Sequence, residues 1–380
     1  MQYRRMGRLD LHVSALGFGC MRLPVKDNWE DVDEELTTEL LRHAIDHGIN
    51  YVDTAYGYHG GKSEVVVGKV LEDGYRERTY IATKLPHWLV RTREDLDRIF
   101  QEQLSRLRTE RIDFYLLHHL QVERFPFLRH LGVLEWLEHL KAGGHIGYIG
   151  FSFHETFPAF KEILDSYDGW DFCQIQYNYV NEKVQAGTRG LLYASGKGLG
   201  VVVMEPLLGG KLANPPARVK EIMDASAFRR TPADWSLRWL WNRPEVSVVL
   251  SGMNAIDQLQ ENIHSACASG VDYLSQGEMD VLERVKREFA SMIPIPCTGC
   301  GYCMPCPHGV DIPRNLENYN QGAIHDNLQF SRSLYMNVFS PKIRAGSCKG
   351  CVECEEKCPQ QIQVASWMKR IHQEFGGSAG

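Results

Sequence analysis

The segment EELTTELLRHAIDHGINYVDT, residues Glu34–Thr54, holds a helical pattern followed directly by a strand pattern. In its first part Leu36, Leu40 and Leu41 recur at the spacing of one face of a helix. In its second part Asn50–Thr54 is a short run rich in strand-forming residues. Because strands that alternate with helices form parallel βαβ units, this segment predicts an α/β fold.

The same alternation continues on both sides of this segment. The predicted strands are Ala15–Gly19, Asn50–Thr54, Thr79–Lys84, Ile112–His118, Gly147–Ser152, Phe172–Tyr177, Gly200–Glu205 and Val246–Gly252. The predicted helices are Glu34–His47, Glu94–Leu107, Leu131–Lys141, Phe157–Ser166, Thr231–Trp241 and Ala255–Ala268. Eight strand–helix units favour a closed (β/α)8 TIM barrel over an open doubly wound sheet. Before the first strand, Gln2–Val13 is predicted to form a hairpin.

The regular alternation stops near Lys286, and Ile293–Pro296 has the composition of a stiff linker. Two cysteine runs follow, with helices predicted over Asp311–Ile324 and Asn327–Phe339. The 380 residues accommodate a barrel of about 250 residues and a smaller second domain. We therefore predict a barrel domain at 1–285, a linker at 286–296 and a small, mostly α-helical ferredoxin-like iron–sulfur domain at 297–380.

Composition excludes several classes of protein. The 43% hydrophobic and 24% charged residues are ordinary for a soluble globular protein. The net charge is −6 and the basic residues form no stripe, so nucleic acid is not an expected partner. No apolar run approaches the ~20 residues of a membrane helix, and the first residues lack a secretory signal. Clustered cysteines without such a signal indicate a reducing compartment, and we expect a cytoplasmic protein.

Eight of the eleven cysteines form two runs near the end of the chain. The first run is Cys297, Cys300, Cys303 and Cys306, and the second is Cys348, Cys351, Cys354 and Cys358. The second run has the spacing of bacterial ferredoxins, and the first differs by one residue before its fourth cysteine. In two-cluster ferredoxins the fourth cysteine of each run serves the other cluster. One 4Fe–4S cluster would then take Cys297, Cys300, Cys303 and Cys358, and the other Cys348, Cys351, Cys354 and Cys306.

Two structural zinc sites are the alternative to iron–sulfur clusters, but zinc usually takes two CxxC pairs set well apart. The crowded spacing, and the proline after each fourth cysteine, favour iron. The run CPHGVDIP, residues Cys306–Pro313, resembles the α-helical ferredoxin family, in which helices separate the two runs.

Four polar side chains follow the ends of three neighbouring predicted strands, where active sites of such barrels lie. They are Asp53, Tyr58, Lys84 and His118. A lysine ammonium beside Tyr58 is expected to lower the pKa of the phenol by roughly one to three units, with Asp53 holding the lysine in place. Tyr58 would then protonate a carbonyl oxygen as a general acid, and His118 would orient the carbonyl. A purely structural role for all four together is the less favoured alternative.

The motif DTAYGYHGGKSE, residues Asp53–Glu64, together with Lys84, His118 and Ile149–Ser152, resembles the aldo-keto reductase family over roughly residues 1–285. The resemblance implies that these enzymes' catalytic tetrad is present and that Ser152 and Gln174 bind the nicotinamide of NADP or NAD. The other implied cofactor contacts are Gly19, Met21, Met204, Pro206, Leu207, Gly210, Lys211, Gly252, Gln258, Glu261 and Asn262.

Three departures from the family pattern concern the cofactor. Phe153 follows Ser152 where the family commonly has asparagine, and Met204 stands where many members stack a tyrosine on the nicotinamide. No arginine or lysine lies between Gly252 and Glu261, although recognition of a 2′-phosphate usually needs a cation. The choice between NADP and NAD therefore stays open, and no motif indicates a flavin.

These patterns predict an NAD(P)H-dependent oxidoreductase that reduces a small aldehyde or ketone, or oxidises the alcohol. The two clusters would transfer electrons to or from a ferredoxin-like carrier. One alternative is a redox-sensing or nicotinamide-binding module that does not turn over. Another is that the clusters only stabilise a domain too small to fold alone.

Overall fold

The computed structural model describes residues 1–376 apart from 298, 300, 325 and 359. The chain forms two compact units. The first unit comprises Met1–Ala213 and Ala233–Ser275, and the second comprises Asn214–Pro232 and the chain from Gln276 onward. None of the described helices is both long and apolar enough to cross a membrane.

The first unit is a closed barrel preceded by a hairpin. The hairpin strands are β1 (Tyr3–Arg5) and β2 (His12–Ser14), which pair antiparallel. The barrel strands are β3 (Leu16–Gly19), β4 (Tyr51–Asp53), β5 (Tyr80–Leu85), β6 (Ile112–Leu117), β7 (Ile146–Phe153), β8 (Phe172–Gln176), β9 (Gly200–Met204) and β10 (Val248–Ser251). Each strand pairs parallel with the next, and β10 closes the barrel on β3. The predicted (β/α)8 fold is confirmed, with every predicted strand end within two residues of the observed one.

Helices lie between the strands and build most of the second unit. They are α1 (Glu34–Asp46), α2 (Lys62–Val70), α3 (Arg93–Leu107), α4 (Phe125–His130), α5 (Val133–Ala142), α6 (Phe157–Asp165), α7 (Gly187–Gly196), α8 (Ala217–Asp224), α9 (Pro232–Trp241), α10 (Ile256–Cys267), α11 (Gln276–Met292), α12 (Ile312–Ile324), α13 (Leu328–Asn337), α14 (Glu353–Glu356) and α15 (Val364–Gly376). The helices predicted from the sequence agree within two residues at each end, and sequence reasoning missed α2, α7, α11 and α15 among others.

Helix α1 shows why the quoted segment folds as predicted. The Asp33 side chain caps its start by accepting a hydrogen bond from the backbone N–H of Leu36 at 3.1 Å. Acidic residues in the first turn complement the positive end of the helix dipole. Leu40, Leu41 and Ala44 are fully buried on the face directed towards the barrel. This packing sets the start of β4, which carries Asp53 to the barrel mouth.

The hairpin closes the end of the barrel at which the strands begin. Met6 and Val13 are fully buried in one cluster with the barrel residues Tyr51, Phe114 and Phe172. At the foot of β10, Ser247 donates a hydrogen bond from Oγ to a hairpin carbonyl at 3.1 Å. Because apolar side chains fill this end, the polar side chains of the strands collect at the opposite mouth.

The second unit has its own hydrophobic core around α12, α13 and α15. Helix α11 begins the main part of this unit and packs against α8. Residues 286–292, which the sequence analysis assigned to a linker, are helical and form the last part of α11. The amphipathic pattern of α11 continues through them, with Val285 and Phe289 buried on the same face. The predicted domain boundaries at 285 and 297 stay a prediction.

Candidate functional site

A buried ion pair lies at the mouth of the barrel, on the neighbouring strands β4 and β5. The ammonium of Lys84 donates to both carboxylate oxygens of Asp53 at 2.8 Å and to the carbonyl of Thr54 at 2.7 Å. The two charged side chains are 1% and 4% exposed. A buried charge is tolerated only when it is paired and hydrogen-bonded, and this pair satisfies both conditions.

Tyr58 and His118 complete the group that the sequence singled out. Tyr58 begins the short turn after β4, and its ring centroid lies 5.0 Å from Nζ of Lys84. The His118 ring meets the Tyr58 ring edge-on, with 6.0 Å between centroids. The structure thus brings together the four predicted catalytic side chains, which come from loops and strand ends spread over some sixty-five residues of sequence.

The acidity of Tyr58 differs from the sequence-based expectation. Burial is the largest influence and raises the pKa of the phenol, whereas Lys84 lowers it and Asp53 raises it again. The net pKa lies above its ordinary value, so the prediction of a lowered pKa was wrong. The reason is that desolvation of the partly buried phenol disfavours the phenolate more than one paired ammonium favours it. Tyr58 therefore holds its proton at neutral pH.

Lys84 stays charged in this environment. Burial alone would lower the pKa of its ammonium, but attraction to Asp53 and then to Tyr58 outweighs burial and leaves the pKa above its ordinary value. The site thus presents a neutral phenol beside a permanent positive charge.

A second buried network, which sequence reasoning missed, supports Lys84 from behind. Gln103 on α3 donates from Nε2 to the carbonyl of Lys84 at 3.1 Å and to Glu64 at 2.8 Å. Thr83 donates to the same Glu64 oxygen at 2.6 Å, and Arg106 lies 3.4 Å from the other oxygen. Glu64 is fully buried on α2. This network fixes β5 against α2 and α3 and so fixes the backbone that carries the lysine.

His118 is a neutral imidazole. Burial, and then the charge of Lys84, lower its pKa to about 2. The ring is partly exposed, and its Nδ1 is buried with no partner among the described residues. Trp88, itself about half exposed, lies beside the ring with 5.1 Å between centroids. A neutral histidine with one open side can donate a hydrogen bond to a carbonyl oxygen at the mouth.

The His118→Asn variant is expected to lose less stability than the unmodified protein when the pH is lowered. The unfolded chain binds a proton at this histidine near pH 6.5, whereas the folded chain does so only near a pKa of about 2. The folded state therefore loses stability as the pH falls below about 6.5, by up to roughly 2 kcal/mol at pH 5. Urea midpoints at pH 8 and pH 5 test this, and identical shifts in both proteins would contradict it.

Ser152 on β7 and Gln174 on β8 are paired neighbours in the sheet. Ser152 accepts a hydrogen bond at Oγ from the backbone N–H of His119 at 2.7 Å, which leaves its own hydroxyl hydrogen to be donated elsewhere. Gln174 donates from Nε2 to the sulfur of Met204 at 3.7 Å, while its Oε1 is buried without a partner in the described part of the chain. One donor and one unpaired acceptor side by side match the carbonyl and amide of a carboxamide.

The remaining predicted cofactor residues lie at the adjacent ends of β3 and β10, in the turn after β3, in the loop after β9 and on α10. Gly19 ends β3 beside Gly252, which follows β10. The loop after β9 contains Pro206, Leu207, Gly210 and Lys211, and it turns through positive φ at Gly209 (69°) and Gly210 (94°). Gln258, Glu261 and Asn262 lie on α10, and Met21 is 51% exposed in the turn after β3. Asn262 is buried and donates to Oγ of Ser251 at 3.0 Å, so it ties α10 to the end of β10.

Arg22 is a cation that the sequence analysis did not consider for the cofactor. The aliphatic part of its side chain lies over Gly252: Cβ of Arg22 is 3.1 Å from the point that a Cβ atom on Gly252 would occupy. Its Nη2 is 3.2 Å from the point that a Cβ atom on Gly209 would occupy. Burial raises the pKa of Glu205, and Arg22 is the first of two cations that oppose this. Arg22 is far from Gly252 in the sequence, and the two residues meet because closure of the barrel places the loop after β3 beside β10.

Two further histidines near the mouth have structural partners. His59 donates from Nδ1 to the carbonyl of Trp29 at 2.6 Å and accepts at Nε2 from the N–H of Leu23 at 3.2 Å. His87 bonds through Nε2 to the carbonyl of His119 at 3.0 Å. These contacts hold the loops around the mouth in place.

In the second unit, Cys297, Cys303 and Cys358 line one small cavity. Its other walls include Ile312 and Leu316 of α12. These cysteines belong to different runs, and they are three of the four predicted to bind the first cluster. The fourth, Cys300, lies outside the described residues. Thiolates around an apolar cavity are a donor set that fits a 4Fe–4S cluster.

The first three cysteines of the second run form a separate group. Burial raises the pKa of Cys354, and Cys348 and Cys351 are near enough to raise it further. The N–H of Gly350 donates to Sγ of Cys348 at 3.4 Å. Cys306 is partly buried against the same core. The described cysteines form no disulfide, and the described residues contain no group of three or more side chains placed to hold a single metal ion.

A parallel eight-stranded barrel with a buried lysine–aspartate pair, a tyrosine and a histidine at its mouth defines an oxidoreductase of the (β/α)8 class. Comparison with family models agrees: residues 15–273 match the aldo/keto reductase family, and residues 296–363 match a 4Fe-4S dicluster domain. The chain belongs to the aldo/keto reductase family and carries a C-terminal 4Fe–4S domain.

Known relatives cover the barrel. An uncharacterized oxidoreductase of Bacillus subtilis, YqkF, is 26% identical over 298 residues, which are 70% of this chain and 92% of the relative. The NADH-specific methylglyoxal reductase of Escherichia coli is 24% identical over 302 residues, 68% of this chain and 91% of the relative. The holo form of aldo-keto reductase AKR11C1 from Bacillus halodurans superposes with a TM-score of 0.63 at 26% identity, covering 75% of this chain and 96% of the other.

Proposed function

We propose that this protein is an NAD(P)H-dependent reductase of small aldehydes or ketones, which can also run as an alcohol dehydrogenase. The observation that carries the proposal is the Lys84–Asp53 pair held 5.0 Å from the ring of Tyr58, with His118 beside it. A protonated phenol beside an ammonium that can stabilise its anion, next to a neutral imidazole, is an arrangement suited to protonating a carbonyl oxygen.

Each residue of the site has a separate role in the proposed reaction. Ser152 and Gln174 would hold the carboxamide of the nicotinamide, whose chemistry when bound is the transfer of a hydride. His118 donates a hydrogen bond to the substrate oxygen and orients the carbonyl. Tyr58 donates its proton to that oxygen, and Lys84 stabilises the phenolate that remains. Since burial keeps Tyr58 protonated at neutral pH, the resting enzyme has the acid form that reduction requires.

The cofactor phosphates have candidate partners at the strand ends. Arg22 lies across Gly209 and Gly252, and Lys211 lies in the neighbouring loop. Two cations near these glycines suit a pyrophosphate, which carries negative charge and needs close backbone approach. The relative from Escherichia coli is named for NADH, so both nicotinamides are candidates for this chain.

The C-terminal domain would hold two 4Fe–4S clusters, one on Cys297, Cys300, Cys303 and Cys358 and the other on Cys348, Cys351, Cys354 and Cys306. The shared cavity of Cys297, Cys303 and Cys358 supports this crossed arrangement. A hydride carries two electrons, and two clusters can each accept one. We propose that they connect the barrel chemistry to a one-electron carrier of the ferredoxin kind in the cytoplasm.

An anaerobic assay of nicotinamide oxidation tests the proposal. The full-length protein is mixed with NADH or NADPH and a panel of small carbonyl compounds, with methylglyoxal as the first probe. We expect oxidation of at least one cofactor that depends on the carbonyl. The proposed activity would be contradicted if no carbonyl compound caused oxidation of NADH or NADPH and no matching alcohol caused reduction of the oxidised cofactors.

A further inference from the structure

Helix α12 carries three buried asparagines whose side chains bond to the backbone of other segments. Asn315, Asn318 and Asn320 are 0%, 7% and 3% exposed. Asparagine is an unfavourable residue inside a helix, and it is rarely buried unless its amide is satisfied. Three such residues within six positions of one helix therefore indicate that their amides bind particular backbone groups of neighbouring segments.

Asn320 forms hydrogen bonds with the backbone of the segment that leads into the first cysteine run. Its Oδ1 accepts from the N–H of Ile295 at 3.1 Å, and its Nδ2 donates to the carbonyl of Ile295 at 2.8 Å. The same carbonyl accepts from the N–H of Cys297 at 2.7 Å. One side chain thus satisfies both backbone groups of a fully buried residue two positions before the first cysteine.

Asn315 likewise forms hydrogen bonds with the backbone of the segment that leads into the second run. Its Oδ1 accepts from the N–H of Ala345 at 3.0 Å, and its Nδ2 donates to the carbonyl of Ile343 at 2.8 Å. Ala345 begins the short turn that leads into Cys348, whose N–H donates to the Ala345 carbonyl at 3.0 Å. Both runs are therefore anchored at their entry by an amide of α12.

We propose that Asn320 and Asn315 are positioning residues, each of which sets the geometry of one 4Fe–4S cluster. The two residues are five positions apart, which in a helix is about 7.5 Å along the axis and about 140° around it. They consequently hold two different segments on two sides of one rigid rod. The inference rests on the cluster ligands proposed above.

The consequence for the clusters follows from the placement of the anchors. Loss of either amide leaves one buried backbone N–H without its partner, that of Ile295 or that of Ala345, a few residues before the first cysteine of a run. It also removes one of the two donors to the carbonyl of Ile295 or Ile343. The backbone there must shift to regain hydrogen bonds, and the attached thiolate shifts with it. Because hydrogen bonding and solvent exposure around the sulfurs set the reduction potential of a cluster, each variant should alter one cluster selectively.

The test compares Asn320→Ala and Asn315→Ala in the full-length protein, purified without oxygen. Asn318→Ala is the matched control: it is buried on the same helix, but its Nδ2 donates at 2.9 Å to Ser331 of α13, which carries no cysteine. Each protein is examined by iron content, by electron paramagnetic resonance after reduction and by redox titration. Cys303→Ala and Cys351→Ala identify which signal belongs to which cluster.

We expect Asn320→Ala to shift or remove the signal that Cys303→Ala removes, and Asn315→Ala the signal that Cys351→Ala removes. Complete loss of one cluster would lower the iron content by about half. The control should keep both signals and both potentials, and all three variants should keep nicotinamide-dependent carbonyl reduction in the barrel. Where an alanine variant does not accumulate, the aspartate variant keeps the acceptor for the backbone N–H and is tested instead.

Three results would overturn the proposal. Unchanged signals and potentials in both test variants would do so, as would equal disturbance of both clusters by each variant. Disturbance by Asn318→Ala as large as that by the test variants would show a general loss of stability. Unmodified protein that binds no iron–sulfur cluster would instead refute the proposed cluster ligands, which is a distinguishable failure.

Discussion

Replacing Tyr58 with phenylalanine is expected to lower kcat for carbonyl reduction by roughly 10²- to 10⁴-fold, the range associated with loss of a general acid. The ring would remain beside His118 and Lys84, so the change removes only the hydroxyl proton that the carbonyl oxygen takes up. Binding of the nicotinamide should change little, because Ser152 and Gln174 are unaffected. Steady-state kinetics with both substrates varied, together with a fluorescence titration of the cofactor, measure the two effects separately.

Tyr56→Phe is the matched control for this variant. Tyr56 lies in the same loop, but its hydroxyl donates to Glu102 at 2.9 Å and its ring packs under Arg106. We expect this control to keep nearly full activity. Loss of less than tenfold in Tyr58→Phe, or an equal loss in both variants, would show that the Tyr58 hydroxyl is not the proton donor.

Replacing Cys358 with alanine is expected to remove the first cluster, although Cys358 lies in the second cysteine run. The structure places Cys358 at one cavity with Cys297 and Cys303, more than fifty residues away in the sequence. Iron content should fall by about half, because a 4Fe–4S cluster needs all four thiolates. The remaining resonance spectrum should equal that of Cys303→Ala, whose cluster is lost under either arrangement.

The isolated, exposed Cys267 provides the control, and Cys267→Ala should keep the full iron content. The opposite arrangement, in which each run binds its own cluster, makes a different prediction. In that case the spectrum left by Cys358→Ala would equal that of Cys351→Ala. This result would refute the crossed ligand sets while leaving the number of clusters unchanged.

The barrel could be predicted from the sequence because its periodicity is strong. The strands are short apolar runs, and most helices between them have a clear apolar face, as α1 shows with Leu40, Leu41 and Ala44. Helix α2 was missed because Val65, Val66 and Val67 are β-branched and have no helical preference of their own. Burial against α3 overrides that preference in the folded protein.

The grouping of the candidate catalytic residues was predictable for a simple reason. Parallel strands of a barrel end at the same mouth, so polar residues at strand ends meet whatever their distance in the sequence. The supporting contacts were not predictable in this way. Gln103 lies in the middle of a helix, and Arg22 reaches Gly209 and Gly252 only because the barrel closes.

The acidity of Tyr58 was the error with the clearest physical cause. A sequence can place a lysine beside a tyrosine, but it does not show how far water is excluded from either. Burial is the largest influence on Tyr58 and acts against Lys84. Sequence reasoning counted the charge and left out desolvation, which has the opposite sign for an acid of this kind.

Transfer of deuterium tests the central claim most directly. The protein is given NADH or NADPH carrying deuterium in both positions of the reactive carbon of the nicotinamide, together with a carbonyl substrate such as methylglyoxal, and the product is examined by mass spectrometry. Direct hydride transfer at the barrel mouth predicts deuterium bonded to the new alcohol carbon, formed far more slowly in Tyr58→Phe. Alcohol formed without deuterium while the cofactor is consumed would show that the electrons take another route, and would contradict the account.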